Sequence, residues 1–129
     1  MASDVLRTPE TLVIYKARRR ALGDGLKKVD LTQLPFIREW EFWVLVENEF
    51  PYDKIAKKHS LLVAKRHFVH DDEMDILERE EMYAIKKEFA ESREYDSLLE
   101  NLSHNRTVPG QYHLHCLKFH HITPIEELS

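Results

Sequence analysis

Between Gln111 and Leu117 the chain alternates in kind, Gln-Tyr-His-Leu-His-Cys-Leu, with two histidines one residue apart inside an otherwise apolar run. Alternation with a period of two is the mark of a strand, because successive side chains leave opposite faces of the pleat. The pattern predicts that Gln111, His113 and His115 share one face while Tyr112, Leu114 and Cys116 share the other. One face is then chemical and the other belongs to the core. Same-face neighbours on a strand lie roughly 6.5–7 Å apart along the chain, too far for the two imidazoles to bond each other. They are well placed to flank one bound group, such as a phosphoryl group attacked by one ring and given a hydrogen bond or proton by the other.

The rest of the chain must supply the core on which such a strand sits. A length of 129 residues with 43% hydrophobic side chains suits a single domain. The 19 basic and 23 acidic side chains leave a formal charge of −4, which offers no overall attraction for nucleic acid or for an anionic membrane. An anion site would have to be local. No apolar run is long enough to cross a bilayer, and the opening Met-Ala-Ser-Asp-Val-Leu-Arg lacks a secretory layout, so the expectation is a soluble, cytoplasmic protein. A single cysteine, Cys116, excludes an internal disulfide and a four-cysteine zinc site, and its place in the alternation predicts a buried, inert thiol.

Thr8-Pro9-Glu10 reads as an N-cap followed by proline at the first helical position, with a helix over Leu12 to Leu22 that Gly23-Asp24-Gly25 ends. Lys16, Arg18, Arg19 and Arg20 gather toward its C-terminal end, where positive charge suits the helix dipole; that reading is preferred over a phosphate or nucleic-acid contact. Residues 26–39 lack a period and contain Pro35, so they read as connection. Trp40 to Glu47 predicts a central strand, with Trp40, Phe42, Val44 and Val46 on one face and Trp43 and Leu45 on the other. A loop follows, in which Asn48 and Asp53 are polar candidates for ligand contact or for bonding the turn backbone. Ser60 to Lys65 predicts a second strand. A long amphipathic helix follows Asp71-Asp72 and runs to about Ser92, with Met74, Leu77, Met82, Ile85 and Phe89 as its buried stripe. Tyr95 to Leu102 fits a short helix or a strand, Ser103 to Gly110 a loop beside Gln111 and His113, and residues 120–129 a surface tail.

Neutral imidazole is a good nucleophile near pH 7, and its attack on phosphorus gives a phosphoryl-imidazole that water can open. The nucleophile needs one nitrogen free, which follows when Nδ1–H donates to a carbonyl such as one in its own strand region. Spacing alone is weak support in a chain with eight histidines.

The run at 111–117 resembles the histidine-triad motif, His-φ-His-φ-His-φ-φ with φ apolar, and departs from it at the first position, Gln111. Upstream, Trp-Val-Leu-Val-Glu-Asn-Glu-Phe-Pro-Tyr-Asp (43–53), His59 and Leu-Leu-Val-Ala-Lys-Arg-His (61–67) resemble the strand, loop, histidine and Pro-Lys-Arg-His segment of that superfamily, with Ala64 where proline is usual. Asn101 and Thr107-Val108-Pro109-Gly110 resemble the loop leading into the triad, although no glycine follows Asn101 at the expected offset. The likeness covers roughly residues 40–118.

That resemblance implies an α+β fold, an antiparallel sheet of about five strands with packed helices, preceded here by an N-terminal helical extension to about residue 39. Members are nucleotide hydrolases or nucleotidyl transferases acting at an α-phosphate through a covalent nucleotidyl-histidine, and are often homodimers. Nucleoside phosphoramidates, dinucleoside polyphosphates and adenylylated adducts are the implied substrates. Residue by residue, the resemblance makes His113 the nucleophile and His115 the phosphate contact and proton donor. It makes His59 a further active-site histidine, Asn48 a ribose contact, and Asn101 or Thr107 a phosphate contact. No metal or cofactor is implied. If the first triad position mainly supplies its backbone carbonyl, Gln111 preserves that job; if its imidazole must titrate, glutamine cannot replace it, and the chain would bind nucleotide with little or no turnover. The first view is preferred. A metal site of His113 and His115 with His59 or His104 ranks below both.

Overall fold

The computed structural model describes residues 2–120. Two helices, α1 (Ala2–Leu6) and α2 (Pro9–Leu22), lead through short 3-10 turns at Gly23–Lys28 and Leu31–Gln33 into the hairpin β1 (Phe36–Glu39) and β2 (Trp43–Glu47). Strand β3 (Ala56–Ala64), helix α3 (Ile76–Ser92), β4 (Ser97–Leu99) and β5 (His113–Phe119) complete the chain. The five strands form one sheet in the order β1-β2-β3-β5-β4, and every pair is antiparallel. This is the α+β arrangement expected, and β5 lies inside the sheet with a neighbour on each side. Among the described residues no helix is long and apolar enough to cross a membrane.

The sheet has two unlike faces. Tyr112, Leu114 and Cys116 of the β5 segment join Trp43, Leu45, Leu62 and Ala64 against Met82, Ile85 and Phe89 of α3. The helix presents this stripe because residues spaced three and four apart share a side. Cys116 is fully buried, and burial pushes its thiol up to about 12, which keeps it inert as expected. On the opposite face Val44, Val46, Leu61 and Val63 meet Leu31 and Val108, so that the segment before β1 and the loop before β5 cover this side. His113 and His115 belong to this second face, whose β3 neighbours are Val63 and Leu61.

Several expectations are revised. Residues 26–39, read as connection, supply β1: Pro35 ends the preceding turn, its carbonyl accepts from Glu47 N–H at 2.8 Å, and the strand it opens lies at the sheet edge, where proline is tolerated. The strand expected from Trp40 begins at Trp43, because Trp40 N–H bonds the Trp43 carbonyl at 2.9 Å in the hairpin turn. Trp40 and Phe42 therefore pack with the α3-side core rather than with Val44 and Val46. On α3, Leu77 is exposed and Glu78 is buried in its place. The capping box explains this: Asp75 accepts from Glu78 N–H while Glu78 accepts from Asp75 N–H, and Arg66 pairs with the Glu78 carboxylate at 2.7 Å. Tyr95–Leu102, left open between helix and strand, contains β4. Of the expected tail, His120 is described, and residues 121–129 lie outside the described residues.

The N-terminal helix forms much as its sequence demands. Thr8 caps α2, Pro9 opens it, and Gly23, at φ 51°, closes it in a conformation that other residues adopt at a cost. Asp53 of the β2–β3 loop clamps its start, accepting from Thr8 N–H at 2.9 Å, Thr8 Oγ1 at 2.9 Å and Thr11 Oγ1 at 2.5 Å. This aspartate is occupied by helix capping and is not available to a ligand.

Candidate active site

His113 Nδ1 lies 2.8 Å from the backbone carbonyl oxygen of Gln111. A carbonyl only accepts, so Nδ1 carries the proton and Nε2 keeps its lone pair. Among the described residues Nε2 has no hydrogen-bond partner. Burial holds the ring pKa below its ordinary value, against the opposing pull of the Gln111 carbonyl. At neutral pH His113 is thus an uncharged imidazole with one unengaged nitrogen, and it lines a cleft over this face of the sheet.

The tautomers of the other two imidazoles follow from one backbone donor. Tyr52 N–H donates to His59 Nδ1 at 2.8 Å, so that nitrogen is unprotonated and His59 carries its proton on Nε2. His59 Nε2 lies 2.8 Å from His115 Nδ1 and therefore donates to it. His115 in turn must hold its proton on Nε2, which faces the Asn101 amide at 3.2 Å. Both that nitrogen and the Asn101 Nδ2 at this contact are donors, so the bond forms only with the amide turned to present Oδ1, which gives up the 3.4 Å contact from Asn105 Nδ2. Strand register makes the relay reachable: His59 stands opposite Leu117, one step of two residues from His115, and side chains diagonal across a strand pair meet. Burial lowers His59 to about 3, with the charges of Arg7 and His113 adding to the effect. His115 is held well below its ordinary value, again chiefly by burial.

Gln111 has two jobs. Its carbonyl sets the His113 tautomer, and its side chain, 1% exposed, accepts from Leu31 N–H at 2.7 Å and donates to Asp30 Oδ1 at 3.0 Å. The amide thereby fastens the segment before β1 over the cleft. The side chain touches neither imidazole by hydrogen bond.

Asn48 lines the cleft, and its Oδ1 accepts from Phe50 N–H at 2.8 Å in a local turn. Its Nδ2 lies 3.1 Å from His59 Nε2 and 3.4 Å from His59 Nδ1, within hydrogen-bond reach of the ring. Thr107 also lines the cleft, and its hydroxyl has no hydrogen bond among the described residues. Asn48, Asn101, Thr107, His113 and His115 thus line one cleft, with His59 bonded to His115 and the Gln111 carbonyl to His113 behind it, whereas Asp53 caps α2. For a metal, His59 has both nitrogens engaged, which leaves only the Nε2 atoms of His113 and His115 facing the cleft. His104 is exposed, and among the described residues no group of three or more histidine, cysteine, aspartate or glutamate side chains is arranged to hold an ion.

Sequence reasoning missed Arg7, Tyr15, Tyr52 and Arg106. Tyr52 stacks on His115 with centroids 5.1 Å apart and planes at 15°. The Arg7 guanidinium is sandwiched between Tyr15, at 3.8 Å, and Tyr52, at 4.8 Å, and its Nε donates to the Phe50 carbonyl at 2.9 Å. A column from α2 to His115 results. Arg106 ties the loop before β5 together by donating to the carbonyls of Asn101 and Val69. The Phe-Pro-Tyr stretch at 50–52 was the one visible signal, since it lies in a loop leaving a strand end and loops carry binding residues disproportionately.

No protein-family model matches the chain, and no curated protein matches it. Among solved structures it is similar to a histidine triad protein from Clostridium difficile, at 20% sequence identity over 70% of this chain and 83% of that one, with a TM-score of 0.49.

Proposed function

We propose that this protein is a nucleotide hydrolase or nucleotidyl transferase that reacts at an α-phosphate through a covalent nucleotidyl-histidine on His113. The observation that carries the reading is the bond from His113 Nδ1–H to the Gln111 carbonyl, which leaves a neutral, buried Nε2 unengaged in the cleft beside a second imidazole. Nε2 forms the N–P bond as the bond from phosphorus to the leaving group breaks, its electron pair departing with that group. His115 Nε2–H serves as the donor to a phosphoryl oxygen or to the leaving group, in place of Asn101. The negative charge of a bound phosphate raises the pKa of the imidazole facing it, which favours proton uptake by His115, and it is from that cationic form that the ring can pass a proton to the leaving group and return to neutral. Water, or a second acceptor, then attacks phosphorus as the N–P bond breaks and its electron pair returns to His113 Nε2; the attacking hydroxyl gives up its proton to a base or to solvent, and the nucleoside monophosphate is released or transferred. Asn48 in the cleft lining suits a ribose hydroxyl, and Asn101 and Thr107 suit phosphate oxygens.

Glutamine at position 111 is compatible with turnover because the part of it that meets His113 is the backbone carbonyl. The test is release of nucleoside monophosphate from an adenosine phosphoramidate, a diadenosine polyphosphate and a nucleotide sugar, by wild type and His113→Ala, with rapid-quench mass measurement of the protein. Release by wild type, a nucleotidyl adduct on the chain, and loss of both in the variant are expected. Nucleotide binding with no release and no adduct would replace this reading by a binding module.

A further inference from the structure

The three imidazoles are neutral and buried, so they bring no formal charge to a dianionic ligand. The charge in the cleft comes from elsewhere. Its lining includes four guanidinium groups, Arg7, Arg18, Arg19 and Arg106, against one carboxylate, Glu49. Arg106 is turned toward backbone carbonyls and lies 3.9 Å from Glu100, whereas Arg18 and Arg19 line the cleft with Arg7 beside them. All three come from the N-terminal helices and their junction. Arg7 is 6% exposed and held flat between Tyr15 and Tyr52, while the Arg19 guanidinium lies 5.5 Å from the Tyr15 ring centroid. Among the described residues neither Arg18 nor Arg19 is paired with a carboxylate. Helix-dipole complementarity accounts for basic residues near the end of α2, but not for their facing the same cleft as His113.

We propose that Arg18 and Arg19, with Arg7 behind them, form an anion subsite for a second phosphoryl group of the substrate, distinct from the phosphate that His113 attacks. This rests on the nucleotide reading above and narrows it to nucleotides with two or more phosphoryl groups. The second group has two chemical sources, a 5′ chain continuing beyond the α-phosphate or a phosphate on a sugar hydroxyl. Guanidinium forks suit either, since they bind phosphate oxygens in pairs.

The experiment is calorimetric titration of the full chain with AMP, ADP and adenosine 3′,5′-bisphosphate, for wild type and the double variant Arg18→Gln/Arg19→Gln. Both side chains stand on the surface of α2, so the folded state is checked by circular dichroism. In wild type, ADP or the bisphosphate is expected to bind at least about tenfold more tightly than AMP, the scale of one charge-assisted contact. Which of the two gains identifies the source of the second phosphate. In the variant that ratio is expected to fall toward one. AMP binding without a gain for either ligand, or a gain that persists in the variant, overturns the subsite while leaving the nucleotide reading in place. No binding of any of the three overturns both.

Discussion

His59 Nε2 donates to His115 Nδ1 across 2.8 Å, and the proton that makes this bond is fixed at its other end by the backbone N–H of Tyr52. The relay determines which nitrogen of His115 carries a hydrogen toward the cleft. Replacing His59 by phenylalanine keeps an aromatic ring against Tyr52, whose centroid lies 4.5 Å from that of His59, but removes the donor. His115 is then free to take either tautomer. The expected outcome is a fall in kcat of roughly tenfold to a hundredfold, part of what a positioned acid contributes, with KM changed less. A stopped-flow comparison of wild type and variant at fixed pH measures it.

Gln111→Ala separates the two jobs of that residue. The carbonyl that orients His113 survives in any residue, whereas Leu31 N–H and Asp30 lose their partner. A buried donor left unpaired costs roughly 1–3 kcal/mol, and urea denaturation should register that loss. Single-turnover formation of the histidine adduct at saturating substrate should change much less than it does in His59→Phe. A collapse of adduct formation together with intact folding would instead assign the side chain a chemical part.

How much of this could be read beforehand depended on whether local sequence or distant contact decided the matter. The faces of β5 were legible because alternation is imposed by backbone geometry alone, and helix α2 because Thr8, Pro9 and Gly23 act on their own termini. Strand β1 was hidden, since four residues with exposed ends carry no alternation and gain their pairing from β2. Leu77 and Glu78 exchanged places because a hydrophobic pattern does not register a carboxylate satisfied by its own N-cap and by Arg66. Likewise the Arg7 column joins residues 7, 15, 52 and 115, a proximity that only the folded β2–β3 loop creates.

The depressed histidines give stability a particular pH dependence. An unfolded histidine titrates near 6.5, whereas burial takes His59 to about 3 and lowers His113 and His115 as well. Between those values the unfolded chain binds more protons than the folded one, so stability rises with pH. It is fully present above about 6.5 and is lost progressively as pH falls toward 3. Thermal melts from pH 7.5 to 4 should show Tm declining through this window, and His59→Phe should flatten the decline even where its own Tm at pH 7.5 is lower. A wild-type Tm that holds level from pH 7 to 4.5 would contradict the neutral assignment of the relay.

Asp53 connects the stability of the N-terminal helix to the cleft. Its carboxylate receives Thr8 N–H and both threonine hydroxyls, so it caps α2 from a loop more than forty positions away in sequence. Removing it as Asp53→Ala leaves Thr8 as the remaining cap and exposes the first turn to fraying, at a cost of about 1–2 kcal/mol. The bonds from Lys54 N–H to the Leu6 carbonyl, at 3.1 Å, and from Arg7 Nε to Phe50 continue to hold the junction, so the chain should still fold. The loss should therefore be local: faster amide exchange in the first turns of α2, with the amides of β3 and β5 unchanged. Because α2 carries Tyr15, Arg18 and Arg19 to the cleft while His113 and His115 stand on β5, the variant should weaken ligand binding more than it slows the chemical step. A rise in KM of about fivefold to twenty-fivefold, matching 1–2 kcal/mol at 1.4 kcal/mol per decade, with kcat within about twofold is the expected split. An equal fall in kcat without faster exchange in α2 would mean that Asp53 acts on the histidines through the Tyr52 loop instead.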